Sequence, residues 1–80
     1  MTGDELSEVE RMCGDATPGP WNVGRSATHP FGCNIFDGHG CDVSSPRAEI
    51  GAFDAEFIAR ARGLVPALVA EVRELNRRLA

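Results

Sequence analysis

The chain has 80 residues, 42% of them apolar and 25% charged, with a formal charge of −4. That describes one soluble domain, 1–80, able to hide only about 60% of the surface its unfolded form exposes. No apolar run approaches the roughly 20 residues that span a bilayer, and the acidic opening 1–15 is unlike a basic, then apolar secretory leader; a membrane protein is excluded and a cytoplasmic location expected. All eight cations are Arg. The charge is −4 over 1–15, −1 over 16–53 and +1 over 54–80, so no segment has the strongly basic balance that phosphate neutralisation demands, and nucleic acid is not an expected partner. A core this small calls for reinforcement by a metal, a disulfide or a second copy of the chain.

Thr2 followed three residues later by Glu5 fits a reciprocal capping box. It predicts a helix from Gly3 to about Met12, within an N-terminal helical segment 1–15. Leu6, Val9 and Met12 or Cys13 share one face, and Gly14 stands at the stop. Residues 14–20 are turn-forming, because Pro18 and Pro20 fix φ and remove donors. Trp21 to Arg25 alternates apolar and polar, which predicts a short strand with Trp21 and Val23 inward. Within the β region 21–52, further strands are predicted at about 33–36 and 40–44, joined by an Asp37-Gly38 hairpin turn, with another at 49–52. The sum is a small antiparallel sheet of three or four strands.

The last segment, 54–80, reads as two helices. Gly63 stands at a C′ position after the first, and Pro66 at the first turn of the second needs no amide partner. Their apolar faces are expected to include Phe53, Phe57, Ile58, Leu64, Leu68, Val72 and Leu75. In the second helix Val65, Leu68, Val72, Leu75 and Leu79 are spaced 3, 4, 3, 4, the seam of a helix that packs along a partner. Glu74 and Arg78 support it four residues apart, and Arg77 and Arg78 suit its negative end. The fold class is therefore α+β: an N-terminal helix, a small antiparallel sheet and two C-terminal helices, expected to form a homodimer or larger closed oligomer through the terminal seam.

Ala16-Thr17-Pro18-Gly19-Pro20-Trp21, together with Asp54-Ala55-Glu56-Phe57-Ile58-Ala59-Arg60-Ala61-Arg62 running into Val65-Pro66-Ala67-Leu68-Val69-Ala70-Glu71-Val72, resembles the Ead-like small accessory proteins of phage and prophage genomes. The resemblance covers about half the chain. It implies a phage-encoded, non-enzymatic accessory protein that binds or disarms a host component in the host cytoplasm, for instance in counter-defence. Cys33, Asp37, His39 and Cys41 fall outside the resembling pieces.

Three further constellations compete for a role. His29, Cys33, His39 and Cys41, spaced H-x3-C-x5-H-x-C, offer the two nitrogens and two sulfurs that tetrahedral zinc prefers, with Cys13 to spare. The pattern lacks the usual two-ligand knuckle, so loop histidines and reduced thiols with no shared role are the simpler expectation, and no cofactor is assigned. Three cysteines in a chain without an export signal argue for free thiols, although Cys33 and Cys41 stand opposite each other if the hairpin forms. Trp21 and Phe31 offer stacking faces, Arg25 and Arg47 guanidinium forks, and Gly38-His39-Gly40 open amides, a set that suits a nucleotide-type small ligand which the protein would sequester. The plainer alternative places Trp21 and Phe31 in the core. No nucleophile, base and orienting group can be assembled, so an enzyme is not expected.

Overall fold

A computed structural model describes residues 1–25, 32–45 and 49–80. The elements run α1 (Gly3–Asp15), β1 (Asn22–Arg25), β2 (Cys33–Phe36) and α2 (Ala52–Leu79), so the class is α+β. The capping box forms: the Thr2 hydroxyl accepts from the Glu5 amide and the Glu5 carboxylate from the Thr2 amide. These two bonds satisfy amide donors that a helix start leaves without partners. α1 continues past Met12 through Gly14 and ends at Asp15, where the Ala16 amide closes onto the Met12 carbonyl.

β1 and β2 pair antiparallel, with Val23 opposite Ile35 and Gly24 opposite Asn34. Val23 faces outward, contrary to expectation, and Trp21 is only half-buried. Gly24 carries the packing instead, since a Cβ there would lie 2.5 Å from the Phe36 ring. The strands expected at 40–44 and 49–52 are reduced to single bridges, Phe36 with Asp42 and Cys33 with Ile50. Gly40 takes φ +82° and the Asp37 carboxylate accepts from the amides of His39 and Cys41, so the chain is still turning where a strand would have to be extended. Beyond the turn, the Ser44 hydroxyl accepts the Ile35 amide, a place that a neighbouring strand's carbonyl would fill. Buried Asn34 holds the same loop through the Asp42 carboxylate and the Ser45 carbonyl.

The largest departure from expectation is in the C-terminal part. The two predicted helices are one, 28 residues long, with Gly63 and Pro66 inside it. Pro66 withholds the amide that would bond the Arg62 carbonyl, which on its own costs a helix about 3 kcal/mol. Packing on both sides of the joint holds the axis together. Ala55, Ala59, Arg62, Pro66, Val69 and Arg73, spaced 4, 3, 4, 3, 4, form the inward face. Before the joint, Arg62 donates to the Cys13 carbonyl at the end of α1; beyond it, Arg73 donates to Ser7 and pairs with Glu10 further up α1. α1 thus lies antiparallel against α2 and splints it.

Among the described residues the core is sparse: Leu6, Ile35, Ala55, Ala59 and Val69 are its buried larger apolar side chains and alanines. The alanines let α2 approach the sheet and α1 closely, but they bury little area. The larger side chains expected on the apolar faces, Phe53, Phe57, Ile58, Leu64, Leu68 and Leu75, are exposed instead, and Val72 is half-buried.

Candidate interaction surface

The region that joins the elements is built around Arg62. Its Nη2 donates to the Cys13 carbonyl and its Nε to the Thr17 carbonyl, each at 3.0 Å, while its guanidinium carbon stands 5.8 Å from the centre of the Trp21 ring. The Trp21 indole N–H donates to the same Thr17 carbonyl at 3.0 Å. The carbonyls at the end of α1 carry the negative pole of that helix, so a cation there is favourable. Gly19 belongs to the same cluster: a Cβ on it would lie 3.1 Å from Arg62 Cγ. Stretches 16–21 and 54–72 therefore meet here.

An open apolar groove of about 430 Å³ runs beside this cluster. Val9, Met12 and Cys13 line it from α1, Trp21 from the segment before β1, and Phe57, Ile58, Ala61 and Val65 from α2. Arg62 is the one charged residue in the lining, and its guanidinium is engaged by carbonyls.

Continuous with the groove is an apolar seam on the outer side of α2. Phe53 is 88% exposed, Phe57 75%, Leu64 55%, Leu68 57%, Leu75 56% and Leu79 85%. Phe53, Leu64 and Leu75 recur every 11 residues, and so do Phe57, Leu68 and Leu79. At about 100° per residue the six fall within an arc of roughly 80°, turned roughly 160° from the buried Ala55, Ala59 and Val69. An 11-residue period, about 3.67 per turn, matches the helix closely enough that the seam stays on one side along the full length.

Of the terminal seam expected from the sequence, Leu68, Leu75 and Leu79 lie on this outer side. Val65 and Val72 turn towards α1 and, with Val69 and the near edge of Leu68, line an apolar depression against Met1 and Val9. The residues proposed for a nucleotide do not form one site among the described residues. Trp21 lines the groove; Arg25 is exposed at the end of β1; His39 is exposed in the turn after β2. Phe31 and Arg47 lie outside the described residues. Of the zinc set, Cys33 is half-buried in β2, Cys41 and His39 are in the turn, and His29 lies outside the described residues. Among the described residues no three His, Cys, Asp or Glu side chains come within reach of a common metal ion.

Two carboxylates are shifted by local geometry. The amides of Cys41 and then His39 hold Asp37 below its ordinary value, and the Thr2 amide and hydroxyl do the same for Glu5. Both belong to a turn and a cap. No local signal in the sequence marks Arg62's part, but its place in the 4, 3, 4, 3 spacing with Ala55, Ala59, Pro66 and Val69 makes it inward once α2 is a single helix. No protein-family model, curated protein or solved structure matches the chain.

Proposed function

We propose that this chain is a non-enzymatic binding module that acts by occupying a protein surface through the outer side of α2. One observation carries the reading: six large apolar side chains are displayed along one side of a helix whose other side is already packed. Contiguous exposed apolar surface of this extent marks interaction sites in soluble proteins. Turnover is not needed for such a role, and the groove beside Trp21 offers apolar contact without the convergent polar groups that chemistry uses. The resemblance to small phage accessory proteins supports occupancy of a host component as the mode of action. A tagged chain, immobilised and exposed to lysate of bacteria expressing an untagged copy, tests this. The wild type is expected to retain at least one protein, host or untagged copy, that an L64E/L68E variant of unchanged helicity releases; identical retention by the two refutes the reading.

A further inference from the structure

We infer that the seam of α2 is a self-complementary surface whose occupant is a second copy of the chain, lying antiparallel with the twofold axis level with Pro66. This rests on the reading of α2 as the binding surface and names its partner. The surface balance points to missing cover. A compact monomer of 8.6 kDa exposes about 4,700 Å² by mass scaling, whereas this chain exposes 6001 Å². The excess of roughly 1,300 Å² is ample for one side of a standard dimer interface, about 800 Å² per partner. The radius of gyration agrees: it is 15.2 Å, against about 11.6 Å for a compact domain of this length.

The order of residues along the seam selects the partner and its direction. Phe53 and Leu79, Phe57 and Leu75, and Leu64 and Leu68 are three pairs, each centred on position 66. Reversing the helix about that point therefore lays an apolar side chain against an apolar side chain at every step, each Phe against a Leu. A twofold axis of this kind makes an isologous contact, in which the same patch serves both copies. In an antiparallel pair each flank of one helix faces the same flank of the other. The charged flank holds Glu56, Arg60, Glu71, Glu74 and Arg78. The reversal sets Glu56 midway between Glu74 and Arg78 of the second copy and brings Arg60 towards its Glu71 and Glu74. Parallel pairing would set this flank against the opposite one, where Ala61, Val65 and Val72 carry no charge and the one charged residue, Asp54, would stand level with Glu56. The acidic first turn and basic last turn of α2 also lie beside their opposites only in the antiparallel arrangement.

Full-length protein tests this by sedimentation and by cysteine cross-linking, with linked peptides identified by mass spectrometry so that the native cysteines do not confound the result. The wild type is expected to sediment as a dimer at micromolar concentration, and L64E/L68E to weaken association at least 100-fold with helicity unchanged. A67C places two thiols beside the axis and is expected to give a 67–67 link. L75C places them about 27 Å apart along the axis at 1.5 Å per residue and is expected to give at least tenfold less 75–75 link. A wild type that stays monomeric at several hundred micromolar, or a 75–75 link as abundant as the 67–67 link, overturns the inference. If the lysate experiment shows a seam-dependent host protein while the untagged copy is not retained, the inference fails and the reading of α2 as the binding surface stands. If neither is lost on L64E/L68E substitution, both fail.

Discussion

Replacing Gly63 by Ala decides whether the C-terminal part is one helix or two, because the two arrangements give the change opposite signs. Within α2, Gly63 lies in the helix interior, is exposed, and has nothing within 4 Å of the position its Cβ would take. It is not among the positive-φ glycines, which are represented by Gly40. An added methyl meets no obstacle and removes conformational freedom from the unfolded chain, a gain of about 0.8–1 kcal/mol. For a domain of this size that raises the melting temperature by about 3–8 °C. Had Gly63 been the left-handed C′ residue of a shorter helix, the methyl would cost about 1–2 kcal/mol and lower it by a similar or larger margin. Thermal melts of wild type and G63A followed by circular dichroism at 222 nm read the sign directly. Protein concentration must be matched, since the proposed self-association would make the midpoint concentration-dependent. A midpoint that falls refutes the continuous helix and, with it, the single outer seam.

Three further outcomes follow from the packing and the turn. R62A removes two hydrogen bonds to carbonyls and the contact with Trp21; it is expected to destabilise the fold by about 2–3 kcal/mol in chemical denaturation, with R62K recovering less than half because an ammonium cannot reproduce the fork. A cost below about 0.5 kcal/mol would show that the joint between α1 and α2 lies elsewhere. G24A pushes a methyl to 2.5 Å from the Phe36 ring and is expected to cost about 1 kcal/mol, whereas no loss would mean the ring is not held against β1. Asp37 and Glu5 have folded pKa values below their ordinary 3.8 and 4.5, so each contributes stability that is present above the ordinary value and lost as pH falls through the lower folded one. Carboxyl chemical shifts followed against pH are expected to show both midpoints below those ordinary values; an Asp37 midpoint at or above 3.8 would contradict the two amide bonds it accepts.

What the sequence makes legible here is what local chemistry decides. Thr2 and Glu5 specify the start of α1 by bonds spanning three residues, and the apolar–polar alternation after Trp21 with the β-favouring stretch at Ile35-Phe36 locates β1 and β2, though it assigns Val23 to the wrong face. Gly63 and Pro66 mislead because each carries a genuine local stop signal that distant packing overrides: Arg62 reaches Cys13 and Arg73 reaches Ser7, more than 45 residues away. The expected strands at 40–44 and 49–52 fail for a related reason, since Asp37 and Ser44 satisfy by side chains the amides that further strands would have paired. The seam was partly legible. Leu68, Leu75 and Leu79 fit both a seven-residue and an 11-residue spacing, and only an uninterrupted helix from Ala52 brings Phe53 and Phe57 into line with them.

The same continuity explains why the apolar residues stand outside. A helix that carries small side chains on one face can press close to α1 and the sheet, but Ala55 and Ala59 exclude little water in doing so. At about 25 cal/mol per Å² of apolar surface, burial of two methyl-sized side chains and Val69 cannot offset the ordering of a long helix with a proline inside it. The bulky residues capable of that contribution, Phe53 and Phe57 with the four leucines, all face away from the fold. Were they merely solvent-facing, α2 would be the least stable element of the chain, and its C-terminal turns beyond Arg73 would fray first. Covered by an antiparallel second copy, those turns become part of a core that neither subunit possesses alone. Amide hydrogen exchange along 74–79 distinguishes the two situations. Protection there is expected to rise with protein concentration in the wild type and to be lost in L64E/L68E, and protection independent of concentration would show that the helix is stabilised within a single subunit.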